Sequence, residues 1–334
     1  MAIDQVGNKC CGCRGCLQKC KFGAITFATD KYGFEYPKID PALCISCGLC
    51  EQVCPILNDV KTSAADLCGM AYALDGETKF NGSSGGLFGT FAESVIAQGG
   101  AVFGAAFDDG LKLYLKKEYE NLLTIDFVCH GVGSQELFDR SIAYTQAKEN
   151  IEIKKVMLRH KTANASSHYY CYYYVKDGKY REKTDLYFSF PYYNAYCKQL
   201  VCRDSCYDCK FASRARVGDL TIGDFHTVEK YFPDVDRFAG VSMFLVNTQK
   251  GQRWFDLVKD KLHWQEMDKE TIYENNRFSD EVVIPAEQPA FMESVATEPF
   301  ETTVKRFLKP SRDWKKLMYY HAPKFLRKLI MKLR

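Results

Sequence analysis

The sequence predicts a small α+β domain followed by an α/β domain with a mixed sheet and, at the C-terminus, a basic helix. Two cysteine repeats of equal spacing lie within the first sixty residues. Apolar runs then alternate with glycine-rich turns, and Lys and Arg are the most frequent charged residues in the last thirty positions. A chain of 334 residues is long enough for two domains. We expect domains over 1–60 and 68–265, an extension over 266–304 and a basic amphipathic tail over 305–334.

Composition limits the class of protein. The chain has sixteen cysteines and a hydrophobic fraction of 46%. No apolar run approaches the ~18 residues of a membrane span, and Met1 to Lys9 contains no apolar segment of a secretory signal. We therefore expect a cytoplasmic protein with a buried core. In a reducing cytosol, so many cysteines favour metal or redox chemistry over disulfides.

The basic tail contrasts with an acidic body. Residues 305–334 contain eleven Lys or Arg and one acid, Asp313, so they carry +10, and by difference the preceding residues carry −7. Apolar residues recur there at helical spacing, at Phe325, Leu326, Leu329, Ile330 and Leu333. Such a helix can dock on a partner subunit or lie on an anionic membrane at its inner face, and a solvated helix is the alternative. No basic, aromatic-lined groove indicates nucleic acid.

Both cysteine repeats have the pattern C-x2-C-x2-C-x3-C, and Pro55 follows the second. This pattern is typical of bacterial ferredoxins with two [4Fe-4S] clusters. Three cysteines two residues apart wrap around one cubane, while the fourth cysteine of each repeat reaches the other cluster. The prediction assigns one cluster to Cys10, Cys13, Cys16 and Cys54. It assigns the second cluster to Cys44, Cys47, Cys50 and Cys20.

Residues 8–56 as a whole resemble bacterial ferredoxins. Short strands over 24–27 and 33–36 are predicted on either side of a turn. Lys21 stands where a proline usually follows the fourth cysteine, which removes no ligand, and Cys11 is an extra thiol that we expect to be a bystander. Zinc knuckles and disulfides are the alternatives, but zinc sites usually lack the third C-x2-C step.

A serine–glycine loop opens the second domain. Residues 80–86 precede an amphipathic helix pattern over 87–98, and an apolar strand pattern follows over 101–107. Free backbone N–H groups at such a helix start suit a phosphate. A serine N-cap with flexible glycines is the alternative.

Further candidate residues follow apolar strand patterns. The strand predicted over 122–128 ends at Cys129, at the sheet edge where α/β folds keep their sites. A second group contains Cys202, Cys206 and Cys209. After it, Asp219 and Asp224 bracket a short strand, and they either orient ribityl or ribose hydroxyls or cap the strand ends.

A tyrosine-rich run over 168–174 precedes Asp177 and Gly178. The simple interpretation is a hairpin whose aromatic side chains fill both faces of a sheet. Stacking of the tyrosines on a substrate is the alternative.

Taken together, these strings resemble the beta-subunit family of coenzyme F420 hydrogenases and dehydrogenases. The matching strings lie at 84–86, 126–131, 205–211, 218–225 and 240–248, and the resemblance covers about residues 8–260. It implies an α/β flavoprotein that passes electrons between iron–sulfur clusters, FAD and a substrate. It further implies that Ser84, Gly85 and Gly86 contact the flavin phosphates. Cys129, Cys206 and Cys209 would then ligate a third [4Fe-4S] cluster.

This chain departs from the family pattern at one place. Some sixty residues that end in a Thr-Pro-Cys-Gln turn are missing before Gly110, so we expect an incomplete sheet and the loss of the third cluster's fourth ligand. Cys202 would replace that ligand if 202–209 is helical, and Cys197 is a second candidate. His226 stands where the family usually has tryptophan, and it either moves a proton near the flavin or lies at the surface.

Three functional hypotheses follow. The first is an iron–sulfur flavoprotein oxidoreductase that takes electrons from a soluble donor protein and passes them through the clusters and FAD to an unknown substrate. The second is a non-catalytic, ferredoxin-like electron-transfer subunit that docks on a partner enzyme. The third is a shortened relative that folds poorly beyond its ferredoxin domain.

Overall fold

The computed structural model describes residues 2–104, 108–162, 165–274 and 283–310, together with Phe278, Ala322 and Leu326. Most of the predicted basic tail helix therefore lies outside the described residues. The same holds for the end of the strand predicted over 101–107. Within the described part, residues 101–104 have no regular structure, so that strand prediction is wrong there. Phe103 is 83% exposed, so no sheet buries the described part of this apolar run.

The N-terminal domain is built around one hairpin. Its elements are α1 (Ala2–Gln5), a 3-10 turn (Gly7–Lys9), α2 (Gly15–Lys19), β1 (Ile25–Thr29), β2 (Glu35–Ile39) and α3 (Leu49–Gln52). The antiparallel pairing of β1 with β2 confirms the predicted hairpin, with its second strand two to three residues later than expected. Asp30 fixes the turn, because its Oδ1 accepts hydrogen bonds from the N–H groups of Tyr32 (2.9 Å) and Phe34 (2.8 Å).

Eight strands follow residue 60 in the described chain. They are β3 (Leu67–Ala73), β4 (Ile125–Phe127), β5 (Glu152–Thr162), β6 (Ala165–Lys176), β7 (Lys179–Leu186), β8 (Leu220–Asp224), β9 (Ser242–Val246) and β10 (Leu262–Glu266). Five of them form one sheet in the order β10-β3-β9-β8-β4. Only the β4–β8 pair is parallel among these described strands, so the predicted mixed sheet is confirmed. The remaining three form an antiparallel sheet, which contains the predicted tyrosine-rich hairpin β6–β7.

The helices lie around these sheets. They are α4 (Gly76–Asn81), α5 (Leu87–Ala97), α6 (Asp108–Leu115), α7 (Gln135–Glu149), α8 (Pro191–Cys197), α9 (Asp204–Tyr207), α10 (Val228–Tyr231), α11 (Gln249–Val258), α12 (Lys269–Glu274), α13 (Gln288–Thr297) and α14 (Phe300–Phe307). Further 3-10 turns span Tyr187–Ser189, Arg237–Ala239 and Lys259–Lys261. The helix predicted over 87–98 is confirmed as α5. The strand predicted over 122–128 is shorter than expected, since β4 has three residues.

The central strand β9 separates two hydrophobic cores. All five of its residues are buried. Phe244 packs on one face with residues of α5 and α11, while Met243 and Leu245 pack on the other face with Met70 and Ile272. Because successive side chains of a strand point to opposite faces, an uninterrupted apolar run is what a strand buried on both faces requires.

The C-terminal extension joins the two domains. Phe291 of α13 and Phe307 of α14 pack with Leu137 of α7 and with Phe34, which belongs to the N-terminal hairpin. Ser134 Oγ also donates a hydrogen bond to the carbonyl oxygen of Tyr32 at 2.8 Å. The hairpin is therefore held against the α/β domain by a shared apolar cluster and by polar contacts.

Candidate iron–sulfur and cofactor site

The structure brings together the four cysteines predicted for the first cluster, and we name Cys10, Cys13, Cys16 and Cys54 the inner cysteine set. Cys10, Cys16 and Cys54 are buried. Burial, together with the negative charges of Cys13, Cys10 and Cys54, raises the pKa of Cys16 to about 12. The N–H of Gly12 donates to Cys10 Sγ at 3.4 Å. Thiolates so close together repel one another, so this donor set suits a cationic iron–sulfur core, which would neutralise them.

The remaining four repeat cysteines line a small cavity of about 40 Å³. We name Cys20, Cys44, Cys47 and Cys50 the outer cysteine set. Burial is the main cause that raises the pKa of Cys50, and nearby Cys44 adds to it. Cys47 is exposed, and the rim of this cavity includes Ile45 (60% exposed) and Phe22 (47% exposed). The outer cysteine set therefore lies at the surface, whereas the inner set lies inside the protein.

Among the described residues, no three Cys, His, Asp or Glu side chains converge on one point where a metal ion could bind. A zinc knuckle would need such a point, since four ligands surround one ion. A cubane spreads its four thiolate ligands over four irons, so its cysteines lie further apart.

Three cysteines of the α/β domain meet as the resemblance implied, and we name Cys129, Cys206 and Cys209 the third cysteine set. Cys129 follows β4, and Cys206 lies in α9. Burial, followed by the charges of Cys129 and Cys209, raises the pKa of Cys206 to about 11. Backbone N–H groups point at two of the sulfurs: Gly131 donates to Cys129 Sγ (3.3 Å) and Val132 to Cys206 Sγ (3.2 Å). Such N–H···S bonds favour thiolates and tune bound iron–sulfur clusters.

Cys202 lies behind this set. The condition set for Cys202, a helix over 202–209, is not met, because α9 spans only Asp204–Tyr207. Cys202 is 1% exposed, and a Cβ placed on Gly131 would come within 2.6 Å of its Sγ. The conformation of Gly131 (φ +135°) also favours glycine at this point. Gly131 therefore packs directly against Cys202, and of these two residues only Gly131 is among the described residues that line the cavity beside the third cysteine set.

This cavity has a volume of about 2210 Å³, well above the roughly 300–1,000 Å³ of an ordinary ligand pocket. Its wall includes the third cysteine set and residues of the N-terminal domain such as Cys11 and Gly12. Cys197 also lines it, whereas Cys202 is not among its described lining residues. Other polar and aromatic walls come from Ser83, Arg159, Tyr193, Tyr196, Asp224 and His226.

Arg159 and Asp224 form a polar corner of the cavity. Arg159 has φ +58° at an irregular point of β5. Its guanidinium donates two hydrogen bonds to the Asp224 carboxylate, and one of them is 2.6 Å long. It donates a third hydrogen bond, of 2.8 Å, to the Ser83 carbonyl oxygen. Burial raises the pKa of Asp224, but the hydrogen bonds and charge of Arg159 outweigh it and hold that pKa below its usual value. Protein atoms that displace water from the His226 imidazole lower its pKa at the same corner. The negative charge of Asp224 opposes this effect.

The serine–glycine loop packs against the sheet. Gly85 lies so close to β3 and β9 that a Cβ there would come within 2.7 Å of the Ala71 carbonyl oxygen. The N-cap of α5 is Gly86 (φ +84°), which gives no side-chain cap, so the serine N-cap alternative is wrong. Ser84 Oγ donates to the Val241 carbonyl oxygen at 3.1 Å, and only Ser83 of this loop is among the described cavity residues. Contact of Ser84, Gly85 and Gly86 with a flavin phosphate stays a prediction.

Asp219 lies at the opposite end of β8 from Asp224. It is 3% exposed, and its carboxylate accepts hydrogen bonds from Thr124 Oγ1 (3.0 Å) and Thr248 Oγ1 (2.8 Å) and pairs with Lys250 Nζ at 3.2 Å. These contacts tie the start of β8 to the neighbouring loop and to α11. As far as the described residues go, Asp219 does not line the cavity.

The loop over 202–210 connects the third cysteine set to the N-terminal domain. Arg203 Nε donates to the Cys10 carbonyl oxygen at 2.6 Å, and Ser205 Oγ donates to the same oxygen at 3.2 Å. Lys210 Nζ donates to the Asn58 carbonyl oxygen at 2.8 Å, just beyond Cys54. The third cysteine set therefore adjoins the inner set rather than the outer set. Arg203 is the functional residue that sequence reasoning missed, because its partner lies 193 positions away.

Comparison with known proteins finds two family models that match separate parts of the chain. Residues 106–270 match the family model that describes the C terminus of the coenzyme F420 hydrogenase/dehydrogenase beta subunit, and residues 9–57 match the 4Fe-4S dicluster domain. The chain therefore contains a C-terminal domain of the coenzyme F420 hydrogenase/dehydrogenase beta-subunit type and a 4Fe-4S dicluster domain at its N-terminus. It is an iron–sulfur electron-transfer protein related to that beta subunit.

Two relatives cover different parts of the chain. A "Ferredoxin-like protein in nif region" of Rhizobium leguminosarum bv. trifolii is 31% identical over 64 residues, which are 17% of this chain and 92% of that protein. A chain of the F420-reducing [NiFe] hydrogenase complex from Methanosarcina barkeri is 12% identical and aligns with 74% of this chain and 94% of its own length, with a TM-score of 0.33. In the part of the chain that the structure describes, no helix has both the length and the apolar character to cross a membrane.

Proposed function

We propose that this chain is an iron–sulfur flavoprotein oxidoreductase, which takes electrons from a soluble donor protein through two [4Fe-4S] clusters to FAD and a substrate. The observation that carries the proposal is the order of the cysteine sets. The outer set lies at the surface, three cysteines of the inner set are buried, and the third set lines the large cavity beside the loop of the inner set. When bound, the clusters would supply single-electron exchange and FAD would couple it to two-electron chemistry.

The residues of the chain have distinct tasks in this proposal. The inner and outer sets hold the two clusters with the crossed ligation predicted from the spacing. The third cysteine set holds a further [4Fe-4S] cluster, for which two backbone N–H groups already point at its sulfurs. Arg159, Asp224 and His226 line the cavity, where they orient the polar groups of a bound cofactor, and His226 exchanges a proton there.

A partner protein is part of the proposal. The exposed apolar side chains of Phe22 and Ile45 frame the outer cysteine set. Lys21 is exposed beside them, and Lys19 lies near, over the ring of Tyr114. We propose that the donor is an acidic electron-carrier protein that covers this face. The cytoplasm is the proposed location, because sixteen cysteines that serve iron–sulfur chemistry suit a reducing compartment.

The composition of the purified protein tests the proposal. After anaerobic purification, we expect about twelve irons, about twelve sulfides and one FAD per chain, since each cubane contains four irons. About eight irons without flavin would contradict the flavoprotein proposal. The irons and sulfides are measured by colorimetric assay, and the flavin by absorbance after acid release.

A non-catalytic electron-transfer subunit is the second candidate. Phe103 (83% exposed) and Phe127 (56% exposed) line the large cavity. Exposed apolar side chains of this kind are typical of a surface that a partner chain covers. Eight irons, no flavin and co-purification with a second enzyme would favour this candidate. The membrane or partner contact of the basic tail stays a prediction.

A further inference from the structure

Arg203 is a buried cation between two cysteine sets. Its side chain is 4% exposed. The guanidinium donates to the Cys10 carbonyl oxygen at 2.6 Å and to the Glu35 carbonyl oxygen, and it lies over the ring of Tyr36 at 4.2 Å. A Cβ placed on Gly12 would come within 3.5 Å of it, so the charge lies against the loop of the inner cysteine set.

The backbone of the same residue holds the third cysteine set. The N–H of Arg203 donates to the Val132 carbonyl oxygen at 2.9 Å, and its carbonyl oxygen accepts from the N–H of Cys206 at 2.8 Å. Val132 in turn donates its N–H to Cys206 Sγ at 3.2 Å. One residue therefore connects the loops of the inner and third cysteine sets directly.

The charge of Arg203 has no carboxylate partner among the described residues, because the ion pairs found there do not include it. Its hydrogen-bond acceptors are backbone carbonyl oxygens. A buried cation without a counter-charge is strongly destabilising. A cubane bound by four thiolates carries net negative charge, so a cluster in the inner cysteine set would provide the missing counter-charge.

We propose that Arg203 is a positioning residue that raises the reduction potential of the cluster bound by the inner cysteine set. The inference rests on the proposed clusters. A positive charge stabilises the more negative, reduced state of a neighbouring cluster, and burial keeps this interaction from being screened by solvent. The hydrogen bonds of the Arg203 guanidinium go to Cys10 of the inner set and to Glu35. The inner cluster is therefore the stronger electron acceptor of the two, and electrons are drawn from the surface toward the cavity.

An EPR-monitored redox titration of the full chain tests this inference, with dithionite as the reductant. In Arg203→Gln we expect one of the two ferredoxin-domain potentials to fall. At a fixed applied potential, the oxidised-to-reduced ratio of that cluster should rise at least tenfold, which is about 59 mV for a one-electron couple. The second potential should stay unchanged. Arg203→Lys keeps the charge and should restore the wild-type potential.

Lys210→Gln is the matched control. Lys210 lies in the same loop and contacts the same domain, but its side chain is 36% exposed and pairs with Asp59 at 3.0 Å. Its loss should change neither potential. The inference is overturned if Arg203→Gln leaves both potentials unchanged, if both shift together, or if the variant binds less iron than wild type, since the arginine would then serve assembly. Wild type with fewer than eight irons would instead contradict the proposed clusters themselves.

Discussion

The N-terminal cysteine repeats and the third cysteine set are built in opposite ways. All eight repeat cysteines lie within 45 positions, and short loops with left-handed residues such as Ser46 and Gly48 bring them together. Cys129 and Cys206 are 77 positions apart, and the parallel pairing of β4 with β8, together with the loop that Arg203 anchors, makes them neighbours. The first site is therefore specified by spacing, whereas the second depends on the complete α/β fold.

The largest expected effect tests the local site. Cys16→Ala should remove one ferredoxin-domain cluster, so iron content should fall by about four per chain, because the inner set then keeps only three of its four thiolates. Iron and sulfide analysis measures the loss. Cys11→Ala is the control and should retain all iron. If Cys11→Ala also loses iron, Cys11 is a ligand rather than a bystander.

The next effect tests the long-range site. Cys206→Ala should also remove about four irons per chain, while both ferredoxin-domain EPR signals persist, because the repeats do not need the α/β domain to define their ligands. Loss of the ferredoxin signals as well would show that the two sites assemble as one unit.

A smaller effect concerns Lys161, which holds the serine–glycine loop from β5. It is 6% exposed, and its Nζ donates to the carbonyl oxygens of Lys79 and Ser84. Burial, and then the charges of Lys79 and Arg159, lower the pKa of Lys161 to about 8. Between this value and the unfolded pKa of about 10.4, the unfolded chain binds more protons, so the free energy of unfolding should rise with pH.

Denaturant unfolding of wild type and Lys161→Met at pH 8 and pH 10 checks this prediction. Relative to the variant, wild type should gain on the order of 2 kcal/mol over this interval. Parallel changes in the two proteins would contradict the lowered pKa.

The smallest expected effect separates Cys202 from the third cysteine set. Cys202→Ala should leave the iron content unchanged, because Cys202 is buried and is not among the described residues that line the cavity. Iron analysis of the variant and of wild type at equal protein concentration measures the difference. A loss of about four irons would show that Cys202 is the fourth ligand after all.

The same contrast explains what the sequence could predict. Cysteine spacing identified all eight repeat cysteines, and the hairpin and the strand ending at Asp224 followed from local patterns. The position of β3 was missed, because Leu67–Ala73 has no strong turn signal before it. The roles of Arg203 and Lys161 depend on contacts 193 and 77 positions away, which no local pattern encodes. Val102 and Phe103 have the composition of a strand, but the described sheet offers them no neighbour.

The cluster that packs Phe34 with Phe291 and Phe307 has a consequence for the evolution of this chain. A domain that can be exchanged between proteins as an independent unit must keep its own surface polar. Here the hairpin shares its apolar side chain with helices from the far end of the chain. A recombination event that replaced residues 1–60 would leave Phe291 and Phe307 without part of their packing. Substitutions at Phe34 and at its partners in α13 and α14 are therefore expected to depend on one another.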